Sequence, residues 1–276
     1  MQTISHTEGA SFPTALSQWR KIRRMSQLEL ALTAEVSQRH ISWLETGRSE
    51  PSRNMILRLC RALEIPLRNR NNLLTSAGFA NLYRANELSA PAMESVRDVL
   101  HTVLDSHMPY PALVVDRFWN IKMINDAIGL LFSLGGDPDK LWQAVGSGDQ
   151  KNLALLTVHP KGLRRHINNY EQMIGPFIQR LQREAAESLD SKQIDLFREF
   201  QEFAEDGGPI EMVDEILPFI PLEINTGNKT LKLCSVISNF GTAQDITSHE
   251  LRIETFYPAD RETKLFFHDF KSVKPK

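Results

Sequence analysis

The sequence predicts two modules, an all-α N-terminal bundle of five short helices and a C-terminal α+β domain with an antiparallel sheet. A length of 276 residues is comfortable for two domains. In residues 13–79, Pro, Ser and Gly occur at intervals that match the starts and ends of short helices. The rest of the chain shows β-prone runs, then helical periodicity, then β-prone runs again, which is typical of helices over one face of an antiparallel sheet.

The composition excludes several classes of protein. Charged residues make up 24% and hydrophobic residues 41% of the chain, which is ordinary for a protein that buries its own cores. No window approaches the ~18 apolar residues of a membrane helix, and the N-terminus lacks the layout of a secretory signal. Cys60 and Cys234 lie far apart, which supports neither a disulfide framework nor a zinc finger. We expect a cytoplasmic protein with no membrane partner and no metal site.

Charge is distributed unequally along the chain. Residues 1–85 contain 12 Lys and Arg against 6 Asp and Glu, a net charge of +6, whereas the remainder contains 20 against 28, a net charge of −8. This segregation indicates two modules with different partners, the basic one being a candidate for binding a polyanion. We place the basic module at residues 10–80, a linker or bridging helix at 81–104 and the acidic module at 105–276.

The helices of the basic module begin and end at residues suited to those positions. Pro13 fits the first turn of a helix, Ser26 and Ser37 are favourable N-caps, and Gly47 provides a stop. The five predicted helices start near Pro13, span Gln27–Ala34, run from Ser37 to Thr46, span Arg53–Leu63 and run from Pro66 to about Ala77.

The second and third predicted helices form the most informative pattern. About three residues join them, which forces a steep crossing and leaves one face of the third helix exposed. Leu30, Ile41 and Leu44 are spaced to meet in a small core below the crossing. A recognition helix carries polar side chains at its N-terminal end because that end reaches deepest into the major groove. We therefore predict a helix-turn-helix that binds double-stranded operator DNA.

The residues predicted to contact DNA lie on or beside the third helix. Gln and Arg side chains can pair bidentately with adenine and guanine edges, and polar residues at the ends of neighbouring helices are placed to hold phosphates. For any single residue, a solvated polar face on a small bundle is the alternative. The predicted contacts are Gln27, Gln38, Arg39, His40, Ser42, Arg48 and Arg53.

The same region resembles the phage-repressor (Xre-type) helix-turn-helix domains over about Ala15 to Leu74. The resemblance is carried by Ser26-Gln27-x-x-Leu30-Ala31, Val36-Ser37, Ile41-Ser42, Leu44-Glu45-x-Gly47-Arg48 and Pro51-Ser52. It implies that Arg20 of the first helix pairs with Glu45 at the end of the third. Glu35 stands where these domains usually have glycine, and a positive φ there would cost roughly 1–2 kcal/mol.

The acidic module has no recognisable catalytic motif. The sequence contains no HExxH, Gly-x-Ser-x-Gly, Walker or GxGxxG pattern, so we predict that the protein is not an enzyme. The predicted strands are Ala112–Val115, Ile121–Ile124, Phe219–Asn225, Thr230–Asn239 and Glu250–Tyr257, and the predicted helices run from Arg164 to about Ser188 and from Lys192 to Ala204.

A curved antiparallel sheet below long helices can enclose an apolar pocket. One stripe of the long helix and alternate residues of the late strands would face that pocket. Polar groups at the start of the helix would meet an anionic head group, with a solvated helix start as the alternative. The predicted ligand contacts are His166, Asn169, Tyr170, Met173, Ile174, Phe177, Leu233 and Ile253. Apolar stripes are more often plain core. A module used only for dimerisation or protein interaction is therefore the alternative.

Further segments resemble the MmyB-like branch of the Xre-type regulators, which extends the similarity over nearly the whole chain. They include Arg68-Asn69-Arg70-Asn71, Pro111 to Arg117, Phe240 to Asp245 and Glu250 to Pro258. The resemblance implies a PAS-like C-terminal domain that binds a small, fatty-acid-like effector, with no cofactor required. Because one recognition helix reads only a few base pairs, we also expect a homodimer on paired half-sites.

Overall fold

A computed structural model of the chain describes residues 10–134, 137–146, 148, 150–206 and 218–273. The chain forms two compact units. The first unit comprises the residues up to Ala85 together with Arg183–Ile194 and Gln244–Ile246, and the second comprises Asn86–Gln182, Asp195–Ala243 and the residues from Thr247 onward. Two short, distant segments therefore belong to the N-terminal unit.

Five helices build the N-terminal part of the first unit, as the sequence predicts. They are α1 (Phe12–Ile22), α2 (Gln27–Thr33), α3 (Gln38–Glu45), α4 (Arg53–Ala62) and α5 (Leu67–Ser76). The Oγ atoms of Ser26, Ser37 and Ser52 each accept a hydrogen bond from a backbone N–H in the first turn of α2, α3 or α4. These bonds satisfy donors that the helix itself leaves without a partner. The Glu29 carboxylate accepts from the Ser26 N–H and completes a capping box on α2.

All five helices end in a Schellman arrangement. The second residue after each helix has a positive φ, and its N–H and that of the next residue donate back to carbonyls of the last turn. Glycine occupies this left-handed position after α3 and α5, whereas Arg24, Glu35 and Glu64 occupy it after α1, α2 and α4. Glu35 has a φ of 50°, so the left-handed turn considered in the sequence is present.

The core of the first unit combines the five helices with one residue from far along the chain. Trp19, Leu30 and Leu44 are almost completely buried in it. Leu189, from the segment Arg183–Ile194, is buried in the same cluster. Nearby, Asn69 Nδ2 donates to the carbonyl oxygen of Ser188 at 2.8 Å. The helical bundle is thus completed by a short segment that the predicted linear boundaries do not assign to it.

A five-stranded antiparallel sheet organises the second unit. Its strands are β1 (Ala112–Val115), β2 (Ile121–Ile124), β3 (Leu222–Asn225), β4 (Thr230–Ser238) and β5 (Arg252–Pro258). They lie in the order β2-β1-β5-β4-β3, with every neighbouring pair antiparallel. The predicted class, a helical bundle followed by an α+β domain with an antiparallel sheet, is confirmed.

The remaining helices lie before, between and after these strands. They are α6 (Glu94–Ser106), α7 (Asp126–Leu134), α8 (Pro138–Ala144), α9 (Leu153–Val158), α10 (Tyr170–Ser188), α11 (Ser191–Glu205), α12 (Ile246–Glu250) and α13 (Arg261–Val273). Asp137 is the N-cap of α8, because its side chain accepts from the Asp139 N–H. No helix of the described chain is both long enough and apolar enough to span a membrane.

The expectation that helices cover only one face of the sheet is wrong. Leu100 and Leu104 of α6 pack with Ala112, Val114 and Ile253 on one face. Residues of α7 and α8 line a pocket with Ile124, which is paired with Leu113 and so lies on the other face. All four residues of β1 are buried. This is the burial expected of a central strand with an uninterrupted apolar sequence.

The long helix begins later than its periodicity indicates. Leu163–His166 form a 3₁₀ turn, Ile167 forms a bridge with Ile224, and the Asn168 N–H donates to the Glu223 carbonyl oxygen. These non-local bonds hold the chain out of α-helical conformation until Tyr170. β3 likewise begins at Leu222 rather than at Phe219. The predicted stop at residues 207–209 lies outside the described residues.

A buried amide joins α6, β1 and α7. Asn125 Oδ1 accepts from the backbone N–H groups of Ala112 and Ile128, and Nδ2 donates to the carbonyl oxygens of Leu104 and Tyr110. These four bonds use both donors and both lone pairs of the amide. Asn125 is therefore a structural centre of the second unit.

Candidate DNA-binding and ligand-binding sites

The orientation of α3 is fixed by the residues that it buries. Ile41 and Leu44 are completely buried in the core of the first unit. Successive residues of a helix are rotated by about 100°. Gln38, Arg39, Ser42 and Trp43 therefore form the face opposite the core, with Gln38 and Arg39 exposed and the other two half-buried. His40 is half-buried on the flank.

The end of α3 is held by an ion pair that the resemblance implies. Arg20 Nε donates to Glu45 Oε1 at 2.6 Å, and Arg20 Nη2 donates to Glu45 Oε2 at 2.9 Å. Gln27 Nε2 also donates to Glu45 Oε2, at 2.8 Å. Gln27, predicted to hold a phosphate, thus directs one of its donors into the protein. The three side chains join α1, α2 and α3.

The ion pair shifts the protonation equilibria of both partners. Burial raises the pKa of Glu45, but hydrogen bonds from Arg20 and Gln27 and the charges of Arg20 and Lys21 outweigh burial, so its pKa lies below the ordinary value. The hydrogen bond to Glu45 raises the pKa of Arg20. Both groups are therefore charged at neutral pH.

Two sets of arginines in the first unit differ in what their side chains contact. Arg23, Arg58 and Arg70 donate within the unit, to the carbonyl oxygen of Leu63, to the Glu35 carboxylate and to the carbonyl oxygen of Ile65. Arg39, Arg48 and Arg53 are exposed at α3, just after it and at the start of α4. Within the described residues, none of these three has an ion-pair partner. Their positions on α3 or shortly after it make them cations that a polyanion bound at α3 could reach.

Arg48 occupies a position that is apolar after the other four helices. In the Schellman arrangement, the residue that follows the left-handed position commonly contacts the helix through an apolar side chain. Met25, Val36, Ile65 and Phe79 hold that position after α1, α2, α4 and α5, and all four are at least partly buried in the core. After α3 the same position is the exposed Arg48. Its charge is therefore presented to solvent next to the recognition face.

In the second unit, α10 buries one row of side chains and leaves a second row half-buried. Tyr170, Ile174, Ile178 and Leu181 form the buried row. Burial raises the pKa of Tyr170 to about 12, and the nearby charge of Arg164 opposes this only in part. Met173 and Phe177 form the second row. The Phe177 ring meets the buried Trp119 ring edge-on, with 5.2 Å between centroids.

A separate apolar pocket of about 150 Å³ lies beside β2. The Phe132 and Trp142 rings meet in it at 5.5 Å, and Lys151 Nζ lies 5.9 Å from the Trp142 ring centre. Its lining consists of Ile121, Ile124, Gly129, Phe132, Pro138, Trp142 and Lys151. Among these described residues, none is a predicted ligand contact. The pocket combines apolar walls with a single amine.

Comparison with known families matches both units. Residues 16–68 match the family described as helix-turn-helix, and residues 96–268 match the family described as MmyB-like transcription regulator ligand binding domain. The chain belongs to the MmyB-like transcription regulators. No curated protein matches it in sequence. The MmyB-like regulator is thus a DNA-binding transcription regulator with a ligand-binding domain, and both matched families are regulatory rather than enzymatic.

Two of the predicted ligand contacts in the MmyB-like regulator face different ways. The register of β4 and β5 pairs Leu233 with Pro258 and Ser238 with Ile253. Paired residues share a face and successive residues alternate, so Leu233 and Ile253 lie on opposite faces of the sheet. The interpretation that both line one cavity is wrong. Apolar alternation did not distinguish the faces, because both faces of this sheet carry buried residues.

The polar residues before α10 already have partners within the MmyB-like regulator. Asn169 Nδ2 donates to the Pro221 carbonyl oxygen at 2.7 Å, and its Oδ1 accepts from the Glu223 N–H at 3.0 Å. His166 Nε2 accepts from Arg165 Nε. Burial and the Arg165 charge lower the pKa of His166. Its imidazole is therefore neutral at pH 7, which is a weak arrangement for holding an anionic head group.

Proposed function

We propose that the regulator reads a specific operator through the exposed face of α3, and that a fatty-acid-like ligand in its C-terminal domain changes operator affinity. The observation that carries the DNA-binding proposal is the division of the arginines. Arg23, Arg58 and Arg70 donate within the protein, whereas Arg39, Arg48 and Arg53 lie exposed on α3 or shortly after it and lack ion-pair partners within the described chain.

The side chains around α3 have distinct roles in this proposal. Gln38 and Arg39 read base edges, since their amide and guanidinium groups match adenine and guanine. Ser42 contacts bases one turn later, and His40 contacts the groove from the flank. Arg48 and Arg53 hold phosphates and fix the register. The second Nε2 hydrogen of Gln27 is directed to a phosphate at the start of α2.

Selection from a randomised duplex pool with the full chain tests this proposal. Arg39→Ala should relax base preference at one position and cost roughly 1–3 kcal/mol on the preferred sequence. Arg48→Ala should weaken binding to all sequences and reduce the slope of affinity against salt concentration by about one charge. Arg61→Ala, which removes an exposed charge near the far end of α4, is the control and should change neither quantity. A wild-type chain that ignores duplex DNA at low salt contradicts the proposal.

Three observations support the ligand proposal: the family to which residues 96–268 belong, the half-buried Met173 and Phe177, and the apolar pocket beside β2. Burying twelve methylenes at ~0.8 kcal/mol each is worth on the order of 10 kcal/mol before ordering costs. A pocket of about 150 Å³ is smaller than the ~300–1,000 Å³ of drug-sized sites. We therefore propose that this pocket takes one end of the chain.

Calorimetry of ligand-free protein with C12–C18 acids tests the ligand proposal. Phe177→Asp should abolish binding, and Ile124→Asp should weaken it if the chain end enters the pocket. Val99→Asp is the matched control, because Val99 on α6 is as exposed as Ile124 but is not part of the pocket lining. Absence of both heat and thermal shift across the acid series supports the alternative, a module used only for dimerisation or protein interaction.

We also propose that the regulator acts as a homodimer. Helix-turn-helix proteins bind paired half-sites about one helical turn apart, because a single recognition helix covers few base pairs. Light scattering of the full chain should give twice the monomer mass, alone or on the selected duplex. A monomeric mass in both states contradicts this proposal.

A further inference from the structure

Arg39 and Trp43 stand one turn apart on the exposed face of α3. The Arg39 Cζ atom lies 4.4 Å from the centre of the Trp43 ring. We propose that Trp43 is a residue that positions Arg39 and contributes to base specificity, an inference that rests on the DNA-binding role proposed above. Its ring holds the Arg39 guanidinium ready to read guanine, and its edge contacts the methyl group of a nearby thymine.

Trp43 is not required to build the helical core. Ile41 and Leu44 supply the buried row of α3, and Trp43 projects from the next row, half-buried. Side chains on a helix lean towards its N-terminus. The indole of Trp43 therefore leans back over the turn that carries Arg39, as the distance between them confirms.

Stacking and base reading use different parts of a guanidinium. The face of the planar group lies against the aromatic ring, whereas its N–H donors point outward around the edge. Guanine is read by two of those donors on O6 and N7. Arg39 places its Cζ over the Trp43 ring, and within the described residues its N–H donors are given to no protein acceptor.

The guanidinium of Arg20 is used differently from that of Arg39. Its Nε and Nη atoms donate to the two Glu45 oxygens and to the Met25 carbonyl oxygen, so its edge is engaged within the protein. A free arginine on a surface samples many rotamers, and fixing one of them costs binding free energy. The Trp43 ring restricts the Arg39 side chain before DNA binds and so offsets part of that cost. The guanidinium is thereby pre-organised for binding guanine.

The position of Trp43 also indicates what its ring touches. Four residues of helix advance by about 6 Å, and successive bases of a strand are about 3.4 Å apart. Because the indole leans back until its centre lies 4.4 Å from the Arg39 Cζ atom, the ring reaches a base within about two steps of the guanine. Apolar side chains distinguish thymine through its C5-methyl group. We expect a thymine preference at that distance.

The test uses the full chain and a randomised duplex pool, followed by titration of duplexes with single-base changes. Trp43→Leu keeps an apolar side chain but removes the aromatic face, and Trp43→Phe keeps a smaller face. Trp43→Leu should reduce discrimination for guanine by about two- to five-fold, the factor expected of an exposed cation–π contact. Trp43→Phe should retain most of it. The salt dependence should not change, because no charge is removed.

A double-variant cycle separates positioning from general support. In an Arg39→Ala background, Trp43→Leu should have no further effect on the guanine position but should still weaken the thymine preference. Equal loss on every duplex, with base preference intact, overturns the inference and leaves Trp43 as structural support. If Trp43→Leu does not fold, Trp43→Met, which also lacks the aromatic face, replaces it in the same cycle with Arg39→Ala. A wild-type chain that enriches no sequence overturns the DNA-binding proposal itself, and that result is obtained before any variant is made.

Discussion

The two units of this regulator solve recognition in opposite ways. The first unit has its candidate DNA-binding groups on the outside: Arg39, Arg48 and Arg53 are exposed, and caps and an ion pair fix the helix beside them. In the second unit the corresponding side chains are mostly buried. Trp119 and the buried row of α10 have little exposure to solvent. An exposed recognition face depends on local helix geometry, whereas an enclosed space depends on which strands pair. Substitutions should therefore affect the two units differently.

The largest expected effect is in the second unit. Asn125→Leu removes four hydrogen bonds to the backbone of three separate segments. Buried backbone groups left without partners cost about 1–3 kcal/mol each, so the free energy of unfolding should fall by about 4 kcal/mol or more. Urea denaturation measures this loss. The exposed Asn228→Ala, in the β3–β4 turn, is the control, and equal stability of the two variants contradicts the role assigned to Asn125.

Breaking the ion pair tests the first unit. Arg20→Ala leaves Glu45 without its cation, with only 6% of the glutamate side chain exposed, and should cost about 3 kcal/mol. Because the pKa of Glu45 is lowered on folding, its contribution is present above the unfolded pKa of about 4.3 and is lost as the pH falls through the folded value. Unfolding of wild type and Glu45→Gln should therefore differ at pH 7 and converge at acidic pH. A constant difference across pH 7 to 2 contradicts this assignment.

A distant side chain should also affect the first unit. Leu189→Ala removes a buried leucine from the helical core and should cost about 2–3 kcal/mol, within the range for leucine truncation. Hydrogen exchange should show faster exchange in the helical bundle. Ser188→Ala keeps the backbone carbonyl that accepts from Asn69 and serves as the control. Unchanged protection of the bundle in Leu189→Ala would show that this core is complete without residue 189.

The smallest expected effect has the opposite sign. Glu35→Gly relieves a side chain at a φ of 50° and loses only an exposed ion pair with Arg58, worth about 0–1 kcal/mol. The net result should be a gain of up to about 1 kcal/mol. Gly47→Ala is the reciprocal test: at a φ of 71° it should destabilise, although its Cβ would meet only Pro13 Cγ at an ordinary 3.7 Å. Thermal unfolding of both variants measures the two signs.

The sequence predicted the five helices of the first unit because the determinants of their ends and faces are local. Ser26, Ser37 and Gly47 mark helix ends within a few residues of their effects, and the α3 face follows from periodicity around Ile41 and Leu44. The contact between Arg39 and Trp43 was not predicted, although residues four apart on one helix are expected to be neighbours.

The second unit was predicted less completely because its determinants are non-local. The strand β1 is paired with β5, which lies well over a hundred residues later, and that pairing decides which face Ile253 occupies. The late start of α10 depends on the Ile167 bridge to Ile224. The periodicity of a segment does not show which distant strand it pairs with. The types of the elements were therefore predicted better than their orientation.

The placement of Leu189 and Ser188 within the helical unit has a consequence for how such genes recombine. A crossover just after residue 85 would carry away the helix-turn-helix but leave behind the leucine that fills its core and the carbonyl that accepts from Asn69. The recipient C-terminal domain would have to supply a segment of the same shape as Arg183–Ile194. We therefore expect a functional chimera to need residues 183–194 transplanted together with residues 1–85.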